Sequence, residues 1–228
     1  MKISVIGTGM VGRVLAARLA AAGHNVVIGT RDPARTLSRV QSEDQRTPPF
    51  AEWRRNHTDI PLLILEEAGA HGEVLVNATM GDASLAAFIA IGEQHTEDKV
   101  ILDLALPLDR SPGKPPRLLY ALTDSLGERM QHAMPRAQVV KTLTSVTAGI
   151  MVDPGRLPGR HNIFTAGDNQ CAKETARHVL ASLGWPEQDV IDLGGIEAAR
   201  ALEMYTPLLF ALAGRLGTWD FNISVVKA

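Results

Sequence analysis

Short apolar runs alternate with helical stretches along most of this chain. Ile3–Ile6, Val26–Ile28, Leu62–Leu65, Glu73–Thr79, Val100–Ala105, Gln138–Leu143, Asn162–Ala166 and Asp189–Leu193 read as strands. Runs of this kind, rich in Val, Ile and Leu, belong to strands covered on both faces. Helices are expected after the first run up to Gly23, over Glu66–Ala70, Ser84–Glu93, Asp124–Ala133 and Asn169–Leu183, and in a last long stretch from Ile196 to Leu216. That last stretch is apolar on more than one face, through Leu202, Met204, Tyr205, Leu208, Leu209, Phe210 and Leu212, with Pro207 as a kink. Two segments break the rhythm: a polar insertion from Thr36 to Asp59 and an irregular proline-rich loop from Pro107 to Pro116. The final residues, Phe221 to Val226, are β-prone.

Strands alternating with helices imply a mostly parallel, doubly wound α/β sheet. The first turn sharpens this. Gly7-Thr8-Gly9-Met10-Val11-Gly12 follows the first strand and opens the first helix, which is G-x-G-x-x-G in the context that gives it meaning. Gly7 permits the tight turn, Gly9 lets a pyrophosphate approach the backbone, and Gly12 lets the helix pack on the strand. The helix N-terminus offers N–H groups and partial positive charge to phosphates. The expected fold is therefore Rossmann-type, with residues 1–150 as the nucleotide-binding domain. Residues 151–228 form a small C-terminal α/β extension ending in the long apolar helix.

The end of the second strand selects the dinucleotide. An NAD site places Asp or Glu there for the ribose hydroxyls. This chain has Gly29-Thr30-Arg31 instead, and Arg35 follows one helical turn later. A hydroxyl and guanidinium groups suit a 2′-phosphate, so NADP is expected, with Thr30, Arg31 and Arg35 as its contacts. Asp32 is read as the N-cap of a helix begun by Pro33. By strand-end geometry, the loops after Ile6, Ile28, Val76, Leu104 and Leu143 surround one crevice.

Composition narrows the rest. A chain of 228 residues with 45% hydrophobic residues suits one domain plus an extension. A formal net charge of −2 gives no field for nucleic acid. No apolar run has the length of a membrane span, and the N-terminus enters a core strand directly, so a cytoplasmic protein is expected. The single cysteine, Cys171, is read as a small packing residue in a helix, and the 7 scattered histidines as surface residues; no metal site is expected. Trp53 is read as a packed aromatic at a loop–helix junction. Asp103 is read as capping a helix or bracing a loop. Lys141 is left open between a proton donor and a strand-end lysine facing phosphate or solvent.

Five segments together resemble one family, the NADP oxidoreductases dependent on the deazaflavin coenzyme F420, and their actinobacterial-type members in particular. They are GTGMVGRVLAARLAAAGHNVVIGTRDP (7–33), AHGEVLVNAT (70–79), TDSLGERMQ (123–131), VVKTLTSVTAGIMVDP (139–154) and DLGGIEAARALEMYTPLLFAL (192–212). The resemblance implies NADP over the glycine turn, its 2′-phosphate at Thr30 and Arg31, and its nicotinamide against Asn77, Ala78 and Thr79. It implies a deazaflavin, as a small-molecule redox partner, between Met80, the Leu106–Pro107–Leu108 region and the Thr144–Ala148 segment, including Ser145. Thr144 stands where some members carry His or Asn. The helix bearing Met204 and Pro207 is expected as the outer wall of the substrate site. The implied function is hydride transfer between NADP(H) and coenzyme F420 or a similar planar partner. The alternatives are NADPH-dependent reduction of a small imine, ketone or metal complex, and a non-catalytic NADPH sensor. The apolar C-terminal helix also predicts a homodimer.

Overall fold

The computed structural model describes residues 1–41, 47–109, 111 and 116–228. Its first unit is β1 (Lys2–Ile6), α1 (Met10–Ala21) and β2 (Asn25–Thr30), followed by two short helices, α2 (Pro33–Ser38) and α3 (Phe50–Arg55). Next come β3 (Leu62–Ile64), α4 (Leu65–His71), β4 (Val74–Asn77), α5 (Gly81–Ile91), α6 (Glu93–Thr96) and β5 (Val100–Asp103). A short antiparallel pair, β6 (Leu108–Asp109) and β7 (Arg117–Leu118), begins inside the segment read as an irregular loop and closes just beyond it. Of that loop, residues 110 and 112–115 lie outside the described residues, as do residues 42–46 of the polar insertion. Then come α7 (Leu126–Ala133) and β8 (Gln138–Thr142). The chain continues through α8 (Ala148–Val152), β9 (Ile163–Ala166), α9 (Gln170–Ser182), β10 (Val190–Asp192), α10 (Ala199–Met204) and α11 (Thr206–Leu216).

Among the described residues, one sheet runs in the order β10-β9-β8-β5-β4-β1-β2-β3. From β3 to β8 every pairing is parallel, and β9 then pairs antiparallel with β8. Strand order reverses between β1 and β4, which puts the switch point beside the glycine turn. The strands bury both faces by simple alternation. Ile3, Val5, Val26, Ile28, Val74, Val76 and Leu102 join α1, α8 and α9 in one cluster, around Leu15, Leu19, Ile150, Val179 and Trp185. Ile6, Val27, Leu75, Ile101 and Val139 join α4, α5 and α7 in the other, around Leu65, Phe88, Ile91 and Met130.

Local signals account for several boundaries. Asp32 caps α2 by accepting from the Arg35 N–H at 2.9 Å, with Pro33 in the first turn. Trp53 lies on α3 and stacks on His57, with ring centroids 4.1 Å apart. The stretch read as one long helix divides into a 3-10 turn (Ile196–Ala198), α10 and α11. Tyr205 between them keeps helical angles, so the interruption comes from Pro207, which has no N–H to donate. The β-prone segment, 221–226, adopts no strand. Cys171 lies on the exposed side of α9, so it is not the packing residue expected from the sequence. No helix of the described residues is long and apolar enough to cross a membrane.

Lys141 is not at the surface, and it faces neither phosphate nor solvent. It is completely buried on β8, 2.9 Å from Asp103 of β5 and 2.8 Å from Glu203 of α10, and it also donates to the Ala105 carbonyl. Glu203 accepts in turn from the Leu126 and Gly127 N–H groups at the start of α7, at 2.9 and 3.0 Å. Burial alone would lower the Lys141 pKa, but the two facing carboxylates outweigh it and hold it above the ordinary 10.5. Burial raises the Glu203 pKa, against the opposing pull of Lys141. Replacing Lys141 with Met strands two buried carboxylates and is expected to cost about 3–5 kcal/mol of stability, read from urea unfolding at neutral pH. The sign of the pH effect follows from the raised lysine. Its contribution is complete below pH 10.5 and is lost as pH climbs through the higher folded value. Wild type should therefore lose stability faster than Lys141→Met in that alkaline window, and parallel curves would contradict it.

Candidate functional site

The carboxyl ends of β1, β4, β5 and β8 open on a crevice of about 550 Å3. Its first wall is the glycine turn. Gly7 adopts φ +129°, and a Cβ there would lie 2.5 Å from the Ala78 carbonyl, so only glycine lets the turn approach the loop after β4. Gly12 is equally constrained, since its Cβ would strike the Gly7 carbonyl at 2.2 Å. Gly9 differs: a Cβ there would meet nothing within 4 Å. Gly9 is the N-cap of α1 and provides no side-chain cap, so the N–H groups of the first turn face open space. A bare helix N-terminus beside an open glycine suits a pyrophosphate, and the residues present therefore fit a dinucleotide.

Thr8, Gly9, Met10 and Val11 line the crevice together with Ala78, Thr79 and Met80. A chain of hydrogen bonds fixes the second of these segments. Asp103 accepts from the Asn77 side-chain amide at 2.8 Å, and Asn77 Oδ1 accepts from the Thr79 hydroxyl at 2.7 Å and from its N–H at 3.2 Å. Asn77 is thus a buried brace for Thr79 and does not itself line the crevice. Asp103 also accepts from the Ala105 N–H at 3.1 Å, which agrees with its reading as a loop brace.

Thr30, Arg31 and Arg35 sit at the end of β2 and on α2, beyond the enclosed part of the crevice. The Thr30 hydroxyl is 2.9 Å from that of buried Thr36, which does line it, and both arginines are exposed. Sequence reasoning missed Arg13. Its side chain is buried, donates to the Thr8 and Pro48 carbonyls, and lies over the Phe50 ring at 5.3 Å. It ties the glycine turn to the segment after α2. Its signal was available: a charged residue directly after the third glycine, on the inward side of the helix.

The far half of the crevice is apolar. Leu104, Ala105, Leu106, Leu108, Thr144, Val146, Thr147, Ala148, Gly149 and Met151 line it. Pro107 and Ser145 are buried beside this wall without lining it. The hydroxyls of Thr144 and Ser145 are buried with no hydrogen-bond partner in the protein. Thr144 therefore presents an unsatisfied group at the crevice, which suits a polar atom of a bound ring. Met204 and Pro207 do not line the crevice; Leu209, Phe210 and Trp219 do. The reason is helical phase. Leu202, Thr206, Leu209 and Ala213 form the buried stripe, which leaves Pro207 exposed.

Among the described residues, the only titratable side chains lining the crevice are Arg13 and Arg39. Lys141 is sealed beneath the surface and is not a proton donor there. No group of three or more His, Cys, Asp or Glu side chains among the described residues is arranged to hold a metal.

Residues 2–107 match the family of coenzyme F420-dependent NADP oxidoreductases. The F420-dependent NADP reductase of Methanocaldococcus jannaschii is 26% identical over 214 residues, 93% of this chain and 92% of that one. The protein of the same name from Methanothermobacter thermautotrophicus is 29% identical over 93% of this chain and 89% of that one. The crystal structure of a candidate F420-dependent NADP reductase from Arthrobacter sp. FB24 is 46% identical, covers both chains fully and superposes with a TM-score of 0.93. The glycine turn, the parallel sheet and the full-length match agree, and the chain belongs to the F420-dependent NADP oxidoreductase family.

Proposed function

We propose that this protein is an oxidoreductase that transfers hydride between NADP(H) and coenzyme F420. The observation that carries this reading is the absence of Asp, Glu, His, Lys, Cys and Tyr from the crevice lining among the described residues. Reduction of a ketone or imine puts a proton on oxygen or nitrogen as the hydride arrives, and such sites hold a general acid. A conjugated ring system spreads the incoming charge and does not require one. Bound NADPH supplies the hydride, and the deazaflavin ring accepts it.

The protein positions the rings and excludes water. The first-turn N–H groups of α1 take the pyrophosphate. Thr30, Arg31 and Arg35 take the 2′-phosphate. Ala78 and Thr79, held through Asn77, back the nicotinamide. Met80, Leu106 and Ala148 form the apolar seat of the second ring, with Pro107 and Ser145 supporting it and the Thr144 hydroxyl offering it a hydrogen bond. Residues 151–228 contribute to this seat and, through α11, to a homodimer interface. Support for the dimer comes from Leu208 and Leu216, 53% and 56% exposed on α11. Family membership and the lack of a membrane-spanning helix among the described residues support a cytoplasmic location.

Four outcomes follow. Arg31→Ala should weaken NADPH binding by about 2 kcal/mol, the cost of a lost charge-assisted bond, and leave NADH nearly unchanged; equal losses would remove the 2′-phosphate assignment. Ala148→Trp should abolish F420 reduction while NADPH still binds by fluorescence titration, because it fills only the apolar half. Wild-type protein with NADPH that leaves the F420 absorbance unchanged from mildly acidic to mildly alkaline pH would refute the function. Sedimentation at micromolar concentration should give two copies, and a monomer would return α11 to a purely intramolecular role.

A further inference from the structure

Trp219 lies in a segment without secondary structure, yet its position is tightly determined. Gly217, at φ +66°, ends α11 and turns the chain. The Trp219 carbonyl then accepts from the Thr147 hydroxyl at 3.3 Å, and Asp220 pairs with Arg156 at 2.8 Å. Asn222 donates to the Asn162 carbonyl at 2.8 Å, the Ile223 carbonyl accepts from the Asn162 N–H at 3.0 Å, and the Val225 N–H donates to Asn162 Oδ1 at 2.7 Å. Ordering an irregular tail carries an entropic cost for every residue fixed. Of the partners that hold it here, Thr147 itself lines the crevice.

The tail delivers one large side chain to the crevice. Trp185 is buried in the core with its indole N–H on the Met151 carbonyl, whereas Trp219 is 44% exposed and lines the crevice. Its ring meets that of Phe210 edge to face, with centroids 5.7 Å apart and planes at 81°. Such a pair leaves a full aromatic face unstacked. Both rings stand on the apolar side of the crevice, with Leu106, Ala148 and Leu209.

We infer that Trp219, backed by Phe210, is the specificity-determining wall for the hydride partner: its free face stacks on a planar aromatic ring and selects such a ring over small aliphatic acceptors. This rests on the function proposed above and extends it to residues of the C-terminal tail. A flat, rigid aromatic surface contributes contact without losing much side-chain freedom, and stacking rewards only a planar partner.

The test is calorimetric titration of oxidised coenzyme F420 into the full-length protein saturated with NADP+, a combination that cannot turn over. Trp219→Ala should weaken F420 binding roughly tenfold or more, while Trp219→Phe should stay within about threefold of wild type. Asn222→Ala, which loosens the tail but keeps the indole, should also weaken F420. NADP+ affinity should be unchanged in all three, which shows that the variants are folded. Wild-type affinity for F420 in Trp219→Ala overturns the wall and leaves the function standing. A wild-type protein that binds NADP+ but not F420 overturns both.

Discussion

The buried ammonium of Lys141 is the constraint on which the rest of this structure hangs. It joins β8 to β5 through Asp103 and to α10 through Glu203. One cation against two carboxylates leaves an excess of buried negative charge. The N-terminus of α7 compensates, with two N–H groups aimed at Glu203 and the helix dipole behind them. That approach has a steric condition. A Cβ at Gly127 would lie 2.8 Å from the Ala199 side chain, so glycine lets α7 and α10 close on the carboxylate. Pairs of this kind contribute little net stability compared with an apolar core, but losing one member is costly. Their effect is to fix geometry. Asp103 passes that geometry on to Asn77 and Thr79, so the loop after β4 is placed by charges that never reach the crevice.

The crevice itself is divided by chemistry. One half has a bare helix N-terminus and arginines, which suit phosphates; the other is apolar, with single hydroxyls at Thr144 and Thr147. Sites that orient rings need this combination more than they need acids and bases. The buried ionic network supplies rigidity at a distance, and none of its charged groups lines the crevice.

What was legible in the sequence was local. The glycine turn, the Asp32 cap and the apolar strands each depend on neighbours in the chain, and each is found where the sequence puts it. Thr8 to Val11, Ala78 to Met80, Leu106, Thr144 and Ala148 came together in one crevice because strand ends in a parallel sheet must. The partners of Lys141 were not legible. Asp103 lies 38 residues away, and Glu203 sits inside a stretch read as apolar on more than one face. That same uniformity hid the phase of α11, so Met204 and Pro207 were expected where Leu209 and Phe210 stand. The tail around Trp219 has no periodicity to read, because its position is set by Asn162 and Arg156.

The antiparallel pairing of β9 explains why the C-terminal residues complete the crevice at all. Because β9 and β10 run against β8, they end at the opposite edge of the sheet from the strand ends that form the site. There Ile196 donates to Asp168, just past β9, and Gly194 accepts from Gly167. The chain must then climb the full height of the sheet to return. From Ile196 to Phe210 a helix rising 1.5 Å per residue covers about 20 Å, roughly the length of a typical strand. It passes α7 and β8, where Glu203 meets Lys141, and arrives at the mouth of the crevice with Leu209 and Phe210. A parallel β9 would end at the site, and its following helix would lead away from it. The strand reversal therefore converts the last helices from a cover of the sheet into a wall of the site, and Glu203 fixes the height at which that wall stands.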